Sequence, residues 1–273
     1  MSIVAAIQMN STADVATNLA AAQRWLREAA SAGATLAVLP ENFAFMGAHE
    51  TDKLAHAEVL DHGPIQAFLS ATARELKLWI VGGTLPLAAP GEPAKVHAAS
   101  LVFDDSGRRV AHYNKIHLFD VSFERDGKTE SYRESNSIAR GAVQPVVADT
   151  PPGPLGLSVC YDLRFPELYR TLAAGGARLL CVPSAFTEKT GEAHWEVLLR
   201  ARAVENFCTV IAPNQCGSHA GGRRTWGHSM IVSPWGAILA ERAEGEGVVL
   251  ATHDRAAQDK IRGTFPSLDH RRL

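Results

Sequence analysis

Four polar residues, one of them a cysteine, are candidates for chemistry. Three lie at or just after the ends of predicted strands, and the fourth lies in a predicted loop. Cys160 stands where the apolar run 155–159 gives way to YDLR, Glu41 follows TLAVLP, and Lys115 follows RVAHYN. Glu134 lies in the predicted loop YRESNS. Open α/β sheets hold their ligand chemistry at strand ends, so these residues are candidates for a single site.

These residue types are sufficient for acyl transfer through a thioester. A thiol attacks a carbonyl as the thiolate, so it needs a base, and a glutamate whose pKa is raised in an apolar pocket can take the proton. An ammonium group and a backbone N–H can stabilise the oxyanion, each donor contributing roughly 3–4 kcal/mol. A second carboxylate keeps a buried lysine charged. Each residue taken alone is more often structural, so the prediction depends on the set.

Apolar, β-rich runs alternate with helical patterns along the chain. The predicted strands are 2–9, 34–39, 78–84, 98–103, 109–113, 155–160, 177–182, 208–212, 228–233, 237–241 and 247–252. The predicted helices are 14–32, 63–77, 166–175 and 193–206. Strand–helix–strand units early in the chain and hairpins later predict a layered α/β domain with outer helices. Periodicity leaves open whether it contains two packed sheets or one mixed sheet.

The composition is that of an ordinary globular protein, with 46% apolar and 21% charged residues in a chain of 273. A formal charge of −2 gives no reason to expect nucleic acid or an anionic membrane as partner. No apolar run approaches the ~20 residues of a membrane span. The start, MSIVAAIQMNST, predicts a first strand and not a signal peptide.

The cysteine and histidine spacing predicts neither a metal site nor a cofactor. The four cysteines show no CxxC or CxxxC spacing, which is typical of reduced thiols in a cytoplasmic protein. His117, His219 and His228 form no ligand spacing with a carboxylate.

Several motifs in order resemble those of the nitrilase superfamily of carbon–nitrogen hydrolases: LPENF, YNKIHLFD, ESNS and SVCYDLRFPELYR. The match covers nearly the whole chain, and PSAF, AHWEVLLRARAVEN and WGHSMIVSPWG are similar to its Nit branch. The resemblance implies a four-layer α–β–β–α sandwich that forms a single domain over residues 1–273. It also implies pairing with a second copy through a helical face, as a homodimer or higher homo-oligomer.

The resemblance further implies roles for the four polar residues. Glu41 is expected to be the general base and acid, Lys115 the oxyanion donor, Cys160 the nucleophile and Glu134 an accessory carboxylate. The N–H of Tyr161 would complete the oxyanion hole, which explains why the thiol lies on a turn at a strand end.

The implied activity is hydrolysis of a linear amide of a small oxo acid. Deaminated glutathione, cleaved to 2-oxoglutarate and cysteinylglycine, is the first candidate substrate. An ω-amidase acting on 2-oxoglutaramate or a related monoamide is the alternative within the same chemistry. A non-catalytic nitrilase-like binding protein and a thiol redox protein pairing Cys160 with Cys181 are alternatives of other classes. The intact set of glutamate, lysine and cysteine argues against a binding protein.

Seven further residues are candidates for substrate binding. They are Tyr161, Arg164, Phe186, Thr187, His194, Arg223 and Arg224. Arg164 could hold a substrate carboxylate on the acyl side or could pair with Glu167, Asp162 or Glu41, and Asp162 could instead brace the turn. Arg223 and Arg224 are assigned to the anionic leaving group. The alternative is that their glycine-rich loop, 216–227, is a solvated hairpin loop.

Overall fold

A computed structural model describes residues 1–125 and 128–272. In chain order the strands are β1 (Ser2–Gln8), β2 (Ala34–Val38), β3 (Trp79–Val81), β4 (Leu85–Ala88), β5 (Val96–Phe103), β6 (Arg109–Asn114), β7 (Asp120–Arg125), β8 (Lys128–Arg133), β9 (Val147–Ala148), β10 (Leu155–Leu157), β11 (Leu179–Cys181), β12 (Thr209–Ala212), β13 (Cys216–Ser218), β14 (Arg224–Trp226), β15 (Ser229–Val232), β16 (Ile238–Arg242) and β17 (Gly247–His253). The α-helices are α1 (Val15–Ser31), α2 (Pro64–Leu76), α3 (Pro166–Ala174), α4 (Glu188–Asn206) and α5 (Arg255–Thr264).

The strands form two large sheets. The first has the order β17-β1-β2-β3-β5-β4, with β6 beside β5, and its β1, β2 and β3 are parallel. The second has the order β16-β15-β12-β11-β10-β9, with β10, β11 and β12 parallel. Two hairpins, β7–β8 and β13–β14, stand apart from both sheets. The structure therefore has the two-sheet arrangement of the alternatives that periodicity left open.

Alternate residues of the first sheet face opposite cores, as the two-residue period of a strand requires. Val4 and Leu36 pack in one core with Leu157 and Val210 of the second sheet. The other face of the first sheet packs against α1 and α2. The outer face of the second sheet is covered by α3 and α4. The layer order is α–β–β–α, which confirms the fold class implied by the resemblance.

Several elements differ from the sequence predictions, among them the short strands β4, β9, β13 and β14, which were not predicted. Helix α4 begins at Glu188 and not at residue 193. Gly191 lies inside it because the Trp226 ring occupies the space that a Cβ would fill, at 2.3 Å. The hairpin β7–β8 and helix α5 were not predicted. The sequence of α5 contains a single large apolar residue, Ile261, and the residue that the helix buries is Gln258. None of the helices in the described ranges is both long and apolar enough to cross a membrane.

Candidate active site

Strand ends from both sheets bring the four polar residues together. Glu41 follows β2 and Lys115 directly follows β6 in the first sheet, whereas Cys160 follows β10 in the second. Glu134 begins a 3₁₀ turn after β8. All four line one cleft, which is partly open to solvent.

Lys115 lies between the two glutamates and is almost fully buried. Its Nζ is 2.8 Å from Oε1 of Glu41 and 2.9 Å from Oε1 of Glu134. Burial opposes the ammonium form, but Glu134 and Glu41 raise the pKa of Lys115 well above its ordinary value. The second oxygen of Glu134 accepts the N–H of Phe119 at 2.7 Å. Lys115 is therefore charged, and its ammonium group is held in place between the two carboxylates.

Glu41 is ionised, contrary to the expectation from its apolar surroundings. Burial raises the pKa of this carboxyl, but the Lys115 ammonium and a hydrogen bond from the Cys160 thiol outweigh burial, and the net direction is downward. The prediction of a raised pKa is wrong because it considered desolvation without the adjacent cation. Glu41 can accept the thiol proton because it lies beside the thiol as a carboxylate, and not because burial has made it more basic.

Cys160 occupies a constrained turn. Its φ of +45° is rare for a residue with a side chain, and its N–H donates to Pro183 O at 2.9 Å. Burial and the charge of Glu41 raise the pKa of the thiol above its ordinary range, against the opposing effects of Lys115 and the Ala185 N–H. The resting thiol is thus protonated, and its proton must move to Glu41 as the sulfur attacks.

Asp162 fastens this turn to the chain that follows β6. Its Oδ2 accepts the Val159 N–H at 2.9 Å and the Tyr113 hydroxyl at 2.6 Å. Its Oδ1 lies 3.1 Å from the His117 N–H and 2.7 Å from His117 Nδ1. The sequence allowed Asp162 either to pair with Arg164 or to brace the turn. Because its carboxylate is fully buried and bonded to these groups, it braces the turn.

Tyr161 and Arg164 line the cleft next to the thiol. Within residues 1–125 and 128–272, the backbone N–H of Tyr161 donates to no protein acceptor, so it is available to a ligand. The guanidinium of Arg164 lies 5.8 Å from the Tyr161 ring and 5.6 Å from the Phe186 ring. In the described chain it makes no ion pair with any of the three carboxylates that the sequence offered. This geometry favours a role in the pocket.

The remaining predicted binding residues divide into two groups. Phe186, Thr187 and Arg223 line the cleft. His194 does not: it is exposed on α4, and its Nδ1 lies 3.3 Å from Arg164 Nη1. Arg224 is also exposed and pairs with a neighbouring glutamate on α4 at 2.9 Å. Neither His194 nor Arg224 reaches the reacting groups, because each side chain points outward from its element.

Sequence reasoning missed part of the cleft wall. The additional lining residues include Glu50, Lys53, Phe119, Tyr132 and Thr190. Glu50 and Lys53 lie around a short 3₁₀ helix, Asp52–His56, whose sequence shows no periodic pattern. Tyr132 belongs to the unpredicted hairpin β7–β8. Of these positions only Phe119 lies within a motif quoted for the resemblance, YNKIHLFD.

The glycine-rich segment 216–227 is a hairpin, β13–β14, that is anchored to the body of the protein. Buried His219 has its Nδ1 2.9 Å from Ser11 O and its Nε2 2.7 Å from Thr225 Oγ1. The hairpin borders an outer vestibule of about 1400 Å³, open to solvent, which adjoins the cleft and shares Thr187 and Arg223 with it. The segment is therefore a hairpin with an exposed tip, and it is anchored through His219 beside the cleft.

The described residues contain no cluster of three or more histidine, cysteine, aspartate or glutamate side chains that could hold a metal ion. All four cysteines are free and buried. The thiol of Cys181 donates to Gly156 O within the second sheet and does not line the cleft. This position does not favour the redox alternative.

Comparison with known proteins supports the same assignment. The sequence model of the family described as "Carbon-nitrogen hydrolase" matches residues 3–262. The chain belongs to the carbon–nitrogen hydrolase family. It is thus a hydrolase of carbon–nitrogen bonds, and the resemblance to the nitrilase superfamily is confirmed.

Individual relatives cover nearly the whole chain. The deaminated glutathione amidase of Synechocystis sp. is 43% identical over 270 residues, which are 98% of this chain and 97% of that protein. The structure of Saccharomyces cerevisiae Nit3, a member of branch 10 of the nitrilase superfamily, aligns with a TM-score of 0.87 at 31% identity, over 100% of this chain and 97% of that one. The C. elegans NitFhit protein aligns with a TM-score of 0.91 at 39% identity. That alignment covers 99% of this chain, which spans only 65% of NitFhit.

Proposed function

We propose that this carbon–nitrogen hydrolase is an amidase that cleaves deaminated glutathione to 2-oxoglutarate and cysteinylglycine. The proposal is carried by one observation: the thiol of Cys160, the carboxylate of Glu41 and the ammonium of Lys115 line one cleft, with Glu41 hydrogen-bonded to Lys115 at 2.8 Å. The choice of substrate is supported by the 43% identity to a protein named deaminated glutathione amidase.

In the acylation half of the proposed reaction, the Cys160 sulfur attacks the amide carbonyl while its proton passes to Glu41. The oxyanion forms between Lys115 Nζ and the N–H of Tyr161. Glu41 then delivers the same proton to the amide nitrogen, the C–N bond breaks and the amine leaves. A 2-oxoglutaryl thioester, joined through the carbonyl distant from the keto group, remains on Cys160.

In the deacylation half, Glu41 takes a proton from water, and the resulting nucleophile attacks the thioester carbonyl. The same two donors hold the second oxyanion. When the C–S bond breaks, the proton on Glu41 returns to the sulfur and the oxo acid is released. Glu41 acts as base and acid in turn, and Glu134 keeps Lys115 charged and aimed through both halves.

The cleft has the charge that this substrate requires. Deaminated glutathione carries a carboxylate at each end. Arg164 is assigned to the oxo-acid end, next to the thiol. A charge-assisted hydrogen bond to such a group contributes roughly 1.5–3 kcal/mol.

A substrate screen tests the proposal against the ω-amidase alternative. Purified protein is given deaminated glutathione, 2-oxoglutaramate, a nitrile and an N-carbamoyl amino acid. We expect the highest kcat/KM for deaminated glutathione. Deaminated glutathione and 2-oxoglutaramate give the same 2-oxoglutaryl thioester, so their turnover differs only in the acylation step. Mass spectrometry of the intact protein should show the same adduct with both compounds. The adduct should be absent from Cys160→Ala. Faster acylation by 2-oxoglutaramate would establish the ω-amidase instead, and no adduct with any compound would refute the thioester mechanism.

We also propose that residues 1–273 act as one domain in a cytoplasmic homodimer. Free thiols at all four cysteines support a reducing compartment. Val197 and Val204 on α4, together with Trp235 and Phe265, expose apolar side chains, and Trp235 and Phe265 contact each other. This outer face supports pairing with a second copy. Sedimentation of wild type and Trp235→Glu tests the pairing, with a shift to monomer expected for the variant.

A further inference from the structure

Three charged side chains at the mouth of the cleft take no part in the proposed bond-making steps. Lys53 Nζ is 2.8 Å from Oε2 of Glu50, and Arg223 Nη1 is 3.6 Å from Oε1 of the same carboxylate. Two cations share one anion, so the group has a surplus of one positive charge. A pocket that binds an anion needs such a surplus.

Arg223 is held close to the reacting thiol without touching it. Its Nη2 donates to Ala185 O at 3.0 Å, and Ala185 lines the same cleft as Cys160. The Nε of Arg223 is buried and has no hydrogen-bond partner among the described residues. A buried donor without an acceptor is unfavourable, and a bound carboxylate would satisfy it.

The cluster of Glu50, Lys53 and Arg223 lies in a different part of the site from Arg164. Glu50, Lys53 and Arg223 line both the cleft and the outer vestibule, whereas Arg164 lines the cleft alone. A linear substrate with Arg164 at its oxo-acid end therefore extends its other end towards the vestibule. That direction also lets the amine product leave to solvent while the acyl group stays on Cys160.

We infer that Arg223 and Lys53 bind the glycine carboxylate of the dipeptide leaving group, and that Glu50 holds the two cations in position. The inference rests on the proposed function and specifies how this site selects a substrate with an anionic leaving group. The sequence analysis assigned both Arg223 and Arg224 to the leaving group. Of these two, the inference keeps only Arg223, because Arg224 is paired with Glu188 outside the cleft.

Three substrates that share one acyl group test the inference. They are deaminated glutathione, its C-terminal carboxamide, which lacks only the glycine charge, and 2-oxoglutaramate, whose leaving group is ammonia. For wild type we expect kcat/KM to fall about ten- to hundredfold from the acid to the carboxamide. In Arg223→Ala and Lys53→Met that ratio should shrink towards one, and cleavage of deaminated glutathione should lose more than cleavage of 2-oxoglutaramate, which should stay measurable. Arg223→Lys, which keeps the charge, should retain part of the ratio.

Arg224→Ala is the matched control, because it removes an arginine from the same hairpin and should keep the wild-type ratio. Cleavage of 2-oxoglutaramate shows that each variant has a folded site. The inference is overturned if the acid-to-carboxamide ratio is unchanged in both Arg223→Ala and Lys53→Met, or if all three substrates lose activity equally. Failure of wild type to cleave any of the three compounds would instead refute the proposed function, and the inference with it.

Discussion

Replacing Asp162 by asparagine should loosen the turn that carries the thiol while leaving the shape of the side chain unchanged. The carboxylate accepts four hydrogen bonds, two on each oxygen, and is fully enclosed. An asparagine has one acceptor oxygen and one NH₂ group. In either orientation of the amide, its NH₂ faces one backbone N–H, that of Val159 or that of His117. The Tyr113 hydroxyl and the His117 ring can each switch to accepting, but a backbone N–H cannot.

The free energy of unfolding should fall by about 2–3 kcal/mol. One orphaned backbone N–H costs about 1–3 kcal/mol, and the three remaining hydrogen bonds each lose about 1 kcal/mol of charge assistance. A neutral amide is easier to bury than a carboxylate, which offsets part of the loss. For a chain of this length, each kcal/mol corresponds to about 2–4 °C, so Tm should drop by about 5–10 °C.

The effect on catalysis should exceed the effect of lost stability. Cys160 has a φ of +45°, a conformation that persists only while its surroundings enforce it. If the turn relaxes by about 1 Å, the sulfur leaves its place beside Glu41, and a displacement of that size costs about a hundredfold in rate. We expect kcat to fall by about ten- to a hundredfold with little change in KM, because the binding wall around Arg164 is not altered.

Asp104→Asn is the matched control. Asp104 is also a buried carboxylate that accepts hydrogen bonds from two backbone N–H groups, those of Ser106 and Arg108, and it pairs with the Arg108 side chain. It lies in the turn between β5 and β6 and does not line the cleft. Both N–H groups donate to Oδ1, so an asparagine can keep them, and its replacement should lower Tm less than Asp162→Asn does and leave kcat near wild type.

Thermal unfolding and steady-state kinetics, measured well below both Tm values, separate the two effects. A kcat within twofold of wild type for Asp162→Asn would refute the argument that this carboxylate positions the nucleophile. Equal losses of kcat in both variants would show that the effect is one of general stability.

The other predictions concern the reacting groups themselves. Cys160→Ala and Cys160→Ser should abolish turnover with an unchanged circular dichroism spectrum, and more than a trace of activity in purified Cys160→Ala would rule out the thioester. Glu41→Gln should block both halves of the reaction, whereas Glu134→Gln should cost less because Lys115 keeps one carboxylate. A wild-type single-turnover rate in Glu41→Gln would rule it out as the base. The acid limb of kcat/KM should lie below the ordinary glutamate pKa of 4.5, since ionised Glu41 is the active form and its pKa is lowered. Activity should be lost only as pH falls through that lowered value. On the alkaline side the rate should stay level past about pH 9, because the pKa of Lys115 is raised; an acid limb near pH 6–7 would contradict this assignment.

Three of the four central residues, Glu41, Lys115 and Cys160, could be located from the sequence because each stands next to a strand end that periodicity finds, whereas Glu134 follows the unpredicted strand β8. Apolar runs identified β2, β6 and β10, and strand ends converge at one edge of an α/β fold. Whether Glu41 and Cys160 belong to one sheet or to two depends on contacts between residues far apart in the chain. Periodicity has no access to such contacts, so the two-sheet arrangement could be expected only from the resemblance.

The residues that line the cleft were harder to predict, because a residue lines it only if its side chain points that way. Arg223 and Arg224 are adjacent in the sequence, yet only Arg223 turns into the cleft, as alternation along β14 and its preceding turn requires. Glu50 and Lys53 lie in an irregular segment between β2 and α2. This segment and the hairpin β13–β14 line the same vestibule, and Arg223 of the hairpin pairs with Glu50 at 3.6 Å. These residues became candidates only when the tertiary contacts were known.

The ionisation of Glu41 illustrates the same limit in energetic terms. From its apolar neighbours alone, desolvation predicts a raised pKa, and the sign reverses once Lys115 is placed 2.8 Å away. The consequence reaches the mechanism. With the base ionised and the thiol protonated, the resting site holds its proton on sulfur, and the negative charge of Glu41 opposes thiolate formation. A substrate carbonyl beside Lys115 removes this obstacle, because the charge that leaves the thiol passes to an oxygen held by an ammonium group. Nucleophilicity therefore arises together with substrate binding, and the same arrangement keeps the free thiol in its less reactive form.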